Sequence, residues 1–201
     1  MDEDISIINT NSRNEKIKNF FINNKNKLIF GIIILLVGII GVYGFDKYQI
    51  NKKQQISDDY NLITIEYSKN NNKKSTNKLI EIINAKDPTY SPLSLYFIID
   101  NKLISDRNQI NELFDILINQ TSLDDEINNL IIYKKALFNA DQFTEGDMLN
   151  ILNPLINSKS VWKSHALYLI AEYFYAKEQN QKAKEFFNQI ISSENPNPDI
   201  R

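Results

Sequence analysis

Few side chains in this chain can do acid–base, nucleophilic or metal chemistry, and their spacing keeps them apart. The one histidine is His165. It lies beside Ala166 and Leu167 and one helical turn from Trp162 and Leu169, which suits a partly buried structural imidazole better than a base or a ligand. Carboxylates cluster at Asp58-Asp59 and at Asp124-Asp125-Glu126. Neighbours along a helix point in different directions, so these are not general acid/base pairs; capping and solvated faces account for them. Cysteine is absent, which removes thiol nucleophiles, Cys-based zinc sites and thiol redox chemistry. No glycine-rich phosphate loop exists, because outside one apolar run the only glycine is Gly146. Asn119-Gln120-Thr121 has the form of a glycosylation acceptor, a pattern short enough to arise by chance. The expectation is a non-enzyme with no catalytic, cofactor-binding or metal-binding residues.

The elements that hold these residues begin with a membrane segment. Leu28–Phe45 carries no charge and no strongly polar side chain. As an α-helix it spans roughly 27 Å, close to the hydrocarbon thickness of a bilayer. Its Ile, Leu, Val and Phe residues sum to roughly −4 to −8 kcal/mol on the insertion scale. The acidic start at Asp2, Glu3 and Asp4 and the long lead before the run argue against a cleaved signal peptide. Arg13, Lys16, Lys18, Lys25 and Lys27 precede the run, and Lys47, Lys52 and Lys53 follow it, so the positive-inside rule puts the N-terminus in the cytoplasm. The expected layout is a cytoplasmic arm over 1–27, a transmembrane helix over 28–45 and an exported domain over 46–201. Gly31, Gly38, Gly41 and Gly44 fall on an arc of about 140° of that span, a candidate helix-packing face that allows a homo-oligomer.

The remainder reads as all-α. A β-rich domain would need more turn glycines, and none of the five prolines is expected to interrupt a helix. A net charge of −2 gives no nucleic-acid footprint. Without cysteine no disulfide contributes, so packing alone holds the domain. Apolar spacing carries the first helix outward to about Ser68, through Ile56, Tyr60 and Ile63, followed by a polar break at 69–76 and a short helix with Leu79, Ile80, Ile82 and Ile83. Three pairs follow. The first has Leu95, Ile98, Ile99 and Leu103 on one helix and Ile110, Leu113, Phe114 and Leu117 on its partner. The others cover about 125–139 with 145–156, and about 160–178 with 180–193. Ser122 to Asp125 and Thr144 to Asp147 have capping-box spacing.

The first helices start near Ser91, Asp125 and Ser160, about 34–35 residues apart, the period of tetratricopeptide repeats that stack as a solenoid. The last pair carries the residue signature. Leu167, Ile170, Ala171 and Phe174 lie on its first helix, and Ala183, Phe187 and Ile190 on its second, with small residues where the helices approach closely. Ala136 keeps the corresponding place one repeat earlier. Solenoids bind peptides along a face lined by first helices, which makes Tyr168 and Tyr175 the candidate peptide-groove residues. Trp162 is expected to pack between repeats.

The whole layout resembles the ancillary SecYEG translocon subunit family, which shares its tetratricopeptide-like domain with cell division coordinator proteins. The features that carry the resemblance are Lys18-Asn19-Phe20-Phe21 before the glycine-containing span, an outward helix to about Tyr67, the Tyr90-Ser91-Pro92-Leu93-Ser94 lead into the first pair, and the Ala183/Phe187 hairpin. The resemblance implies a single-pass bacterial inner-membrane protein with its repeat domain in the periplasm. Its partners would be Sec translocon subunits and a membrane-anchored periplasmic chaperone of the prolyl-isomerase type. The alternative is an adaptor that coordinates cell-envelope or division machinery. The family usually has a further C-terminal helix, whereas this sequence stops at Ile200-Arg201.

Overall fold

A computed structural model describes residues 2–67 and 72–192, with side chains from residue 13 onward apart from Asn72. Every described element is helical: α1 (Asp2–Asn23), α2 (Lys25–Ile65), α3 (Asn72–Asn84), α4 (Tyr90–Asp100), α5 (Arg107–Gln120), α6 (Asp125–Asn139), α7 (Glu145–Ile156), α8 (Lys163–Ala176) and α9 (Asn180–Ile191). The chain divides into two compact units, Met1–Gln54 and Gln55–Arg201.

In the first unit, the segment expected to be a simple arm forms α1. Its Asn-, Lys- and Ile-mixed sequence has no strong apolar period along its length, which is why the element was not legible. Asn24 separates α1 from α2, and its side-chain amide donates to the Phe20 carbonyl at 2.9 Å. Among the described helices α2 is the one long and apolar enough to cross a membrane. A helix is the only single segment that satisfies its own backbone in hydrocarbon. The apolar side chains from Ile29 to Phe45 are exposed.

The second unit begins with the last turns of α2, where Ile56, Tyr60 and Ile63 pack into a core with Leu79, Ile83, Leu95, Ile98, Leu113, Phe114 and Leu117. Ser57 Oγ and Tyr90 OH share a hydrogen bond of 2.7 Å, and the Tyr60 and Tyr90 rings lie 5.6 Å apart. α2 stops at Ile65 rather than near Ser68, and α3 starts inside the segment expected to be a break; residues 68–71 of that break lie outside the described residues. α4, expected to pair with α5, packs chiefly on α3. Ser91 and Ser94 are both fully buried, and their small side chains let the two helices close up, with Ser91 Oγ donating to the Ile82 carbonyl at 2.8 Å. A second core joins α6 to α9 around Ala136, Met148, Leu152, Leu155, Ile170, Phe174 and Ala183. Each helix from α3 to α9 packs on the next, and α3 also touches α5 as α6 touches α8, the contact pattern of stacked hairpins.

Local signals set the ends. Thr144 and Asp147 form the expected capping box, with Asp147 N donating to Thr144 Oγ1 and Thr144 N to the Asp147 carboxylate, both at 3.2 Å. At α6 the cap is Asp124, which accepts from Glu126 N at 3.0 Å, and not Ser122; a carboxylate next to the first turn displaces the more distant hydroxyl. Pro154 lies inside α7, within the expected bounds 145–156, and does not interrupt the helix. It sits in the last turn, where only the Asn150 carbonyl loses its partner. Lys86, Lys102 and Glu178 adopt positive φ of 56°, 52° and 60° just beyond α3, α4 and α8. After α4, Leu103 N donates to the Ile98 carbonyl at 2.9 Å, and after α8, Gln179 N donates to the Phe174 carbonyl at 2.9 Å, so both helices end in Schellman turns built without glycine.

Candidate protein-interaction surface

The repeat signature on α8 and α9 folds as its residue types dictate. Ala171 is 0% and Ala183 2% exposed, and with no side chain beyond Cβ they let the helix axes approach. Phe174 fills the space beside them and stacks on Phe186 at 5.6 Å with the planes 11° apart. Tyr173 also turns inward and donates its hydroxyl to the Phe143 carbonyl at 3.0 Å, which ties α8 to the loop before α7.

The opposite face of α8 carries His165, Tyr168, Glu172 and Tyr175 at helical spacing. Tyr175 is 68% exposed. Tyr168 is 38% exposed and sets its ring edge-on to Phe187 at 5.8 Å. The Tyr168 hydroxyl is held above its ordinary pKa by hydrogen bonding to Glu172 and by that residue's charge. Trp162 packs between pairs, as expected: its indole stacks on Tyr133 of α6 at 5.9 Å. His165 lies 5.1 Å from Trp162 and 5.8 Å from Tyr133, with a buried Nδ1 that has no hydrogen-bonding protein partner. Burial first, and the Glu172 charge second, push the Tyr133 hydroxyl up.

The structure therefore keeps Tyr168 and Tyr175 on one accessible helix face, beside Glu172 and close to a three-ring cluster. Sequence reasoning missed Tyr133 and Glu172. The repeat period itself could have found Tyr133, since it sits one period before Tyr168. Gly31, Gly38, Gly41 and Gly44 all lie on exposed turns of α2. A Cβ at Gly31, Gly38, Gly41 or Gly44 would meet nothing within 4 Å, and Gly38 lines a shallow apolar groove with Leu35, Ile39, Val42 and Tyr43. The carboxylates of Asp124-Asp125-Glu126 serve the helix ends. Asp124 is a cap, and Glu126 accepts from Ser160 Oγ at 2.7 Å, joining α6 to the start of α8. Among the described residues no group of three His, Cys, Asp or Glu side chains could hold a metal ion. What the arrangement offers is contact chemistry: exposed phenols, a carboxylate and an apolar rim.

Comparison with known proteins agrees with a helical-repeat character and locates it elsewhere than the small-residue signature. The family description "tetratricopeptide repeat-like domain" matches residues 18–99, a stretch that takes in the apolar run and ends within α4, well before α8 and α9. No curated protein and no solved structure is significantly similar to the chain. A tetratricopeptide repeat-like domain is thus found at residues 18–99.

Proposed function

We propose that this protein is a non-enzymatic, membrane-anchored scaffold that binds protein partners through its helical unit. The carrying observation is the exposed aromatic face of α8, Tyr168 and Tyr175 flanking Glu172, in a unit made of stacked helix pairs. The exposed apolar stretch of α2 supplies the membrane segment, and the excess of Lys and Arg before it favours a cytoplasmic N-terminus and an exported helical domain. Such a layout suits a bacterial inner-membrane protein that assists newly exported chains, with Sec translocon subunits and a periplasmic prolyl-isomerase-type chaperone as partners. Nothing in this function needs a cofactor. The glycine-bearing face of the span is available for packing on another membrane helix, including that of a second copy.

A photoreactive residue in place of Gly38 or Tyr175, crosslinked in native membranes and read by mass spectrometry, tests the proposal. Translocon and chaperone adducts support it. Adducts confined to envelope or division proteins transfer the scaffold to that machinery, and adducts of neither kind defeat the scaffold assignment.

A further inference from the structure

The end of α1 has a pattern that the scaffold role does not use. At about 100° per residue, Ile17, Phe20 and Phe21 fall within an arc of about 100°, and Lys16 and Lys18 stand on either side of it. Arg13 lies inside the arc one turn before Ile17, where its long stem can run along the apolar face and carry the guanidinium out to the headgroups. Glu15 and Asn19 lie on the far side, and Ile22 falls outside the arc beside Lys18. The apolar side chains have nothing to cover them: Ile17 is 48% exposed and Phe20 and Phe21 are each 57% exposed, touching one another edge to face at 5.9 Å. From Arg13 to Lys27 the cations are Arg13, Lys16, Lys18, Lys25 and Lys27, and the only anion is Glu15. None of the five takes part in the ion pairs Lys135–Asp115 and Lys182–Glu145.

The apolar run begins at Leu28, so Phe20 and Phe21 cannot lie more than roughly 12 Å along the chain from it. That distance keeps them within or beside the headgroup layer of whichever leaflet the run enters. The break at Asn24 allows α1 to turn into the membrane plane, where interfacial helices sink their rings about 5–10 Å. Three apolar residues are too few for a coiled-coil seam, which needs three to four heptads.

We propose that residues 13–23 of α1 form an interfacial helix that binds the surface of an anionic leaflet, with Ile17, Phe20 and Phe21 in the acyl boundary and Arg13, Lys16 and Lys18 on lipid phosphates. Lys25 and Lys27 add to the same phosphate contact. This inference rests on α2 spanning the membrane.

Because the chain has no cysteine, single cysteines can carry spin labels without background. Full-length F20C, N19C and I34C would be placed in vesicles of three parts phosphatidylcholine to one part phosphatidylglycerol. Collision with oxygen, concentrated in lipid, is then compared with collision with a water-soluble nickel chelate. The F20C label should favour oxygen severalfold and the N19C label nickel. Replacing phosphatidylglycerol by phosphatidylcholine, or adding Lys16→Gln and Lys18→Gln, should move the F20C label toward water. Equal values at positions 19 and 20, a label at 20 shielded from both reagents by a protein neighbour, or a depth indifferent to lipid charge overturns the proposal. The I34C label separates the two failures: if it too reads as aqueous, the membrane span itself is wrong, whereas an embedded 34 with an aqueous 20 refutes the interfacial helix alone.

Discussion

Tyr96 of α4 offers a sharp test of how the second unit is held together. Its hydroxyl is buried and has no hydrogen-bonding protein partner, and burial raises its pKa from 10.0 to about 12. An unpaired buried hydroxyl disfavours folding by roughly 1–3 kcal/mol. Tyr96→Phe removes the hydroxyl and keeps the ring, including its contact with the Lys134 ammonium, 4.5 Å from the centroid. The variant should gain about 1 kcal/mol at pH 7, or roughly 2–4 °C in Tm for a domain of this size. The gain should also widen with pH. Below about pH 10 the phenol is protonated in both folded and unfolded chains, so stability is unaffected. As pH rises from about 10 toward 12 the unfolded chain ionises first, and the wild type loses stability through that window. Two pKa units correspond to about 2.7 kcal/mol, which partial solvent exposure lowers to about 1–2 kcal/mol. Thermal and urea unfolding of the full chain in detergent, followed by far-UV circular dichroism at pH 7 and pH 11, measures both. A loss of 1 kcal/mol or more at pH 7, or parallel alkaline limbs for wild type and variant, would refute the reasoning.

Three further outcomes follow from contacts already described or adjacent to them. Thr144→Ala removes the α7 capping box and should destabilise by about 1 kcal/mol in the same unfolding assay. Because the Thr144 hydroxyl and amide hold the Asp147 carboxyl below its ordinary 3.8, stability from that group is present above about pH 4 and lost as pH falls, and the variant's acid limb should be flatter. Asn139, 2% exposed, exchanges amide hydrogen bonds of 2.7 and 3.0 Å with Asn111 between α6 and α5, so Asn139→Ala should cost about 2 kcal/mol, and a double-mutant cycle with Asn111→Ala should show coupling above about 0.5 kcal/mol. Ala183→Phe forces a ring between α8 and α9 and should destabilise by about 1–3 kcal/mol or more, while leaving the helix content of the folded protein unchanged by circular dichroism.

The parts that were legible share a physical cause. Leu28–Phe45 stands out as a candidate span because an unbroken apolar run shows in the sequence itself. The bounds of α6 and α7 agree with the expected ones because the acidic cluster at 124–126 and the Thr144/Asp147 box lie at the helix starts. Ala171, Phe174 and Ala183 were assigned to a close helix contact, and their burial agrees. The missed features arise where local and tertiary effects compete. α1 has only a short amphipathic stretch at its end. The packing of α4 on α3 depends on two buried serines, whose polarity hides a core role in any apolar count. Tyr168 and Tyr175 could be named from period and residue type; Tyr133 was within reach of the same period, and Glu172 of the helical spacing from Tyr168. The ring cluster of Tyr133, Trp162 and His165 emerges only when α6 is laid against α8.

The three left-handed helix ends have a consequence for thermal tolerance. Lys86, Lys102 and Glu178 each hold a side chain in a backbone region that L residues avoid by roughly 1–2 kcal/mol, and glycine would occupy it without that penalty. Lys102→Gly and Glu178→Gly, placed in Schellman turns whose hydrogen bonds are already formed, should each raise Tm by a few degrees, and the two should add because different helices bear them. A chain that keeps four of its five glycines in one apolar helix has left these hinges unrelaxed, so a sturdier version of the domain lies two or three surface substitutions away, with no core residue disturbed.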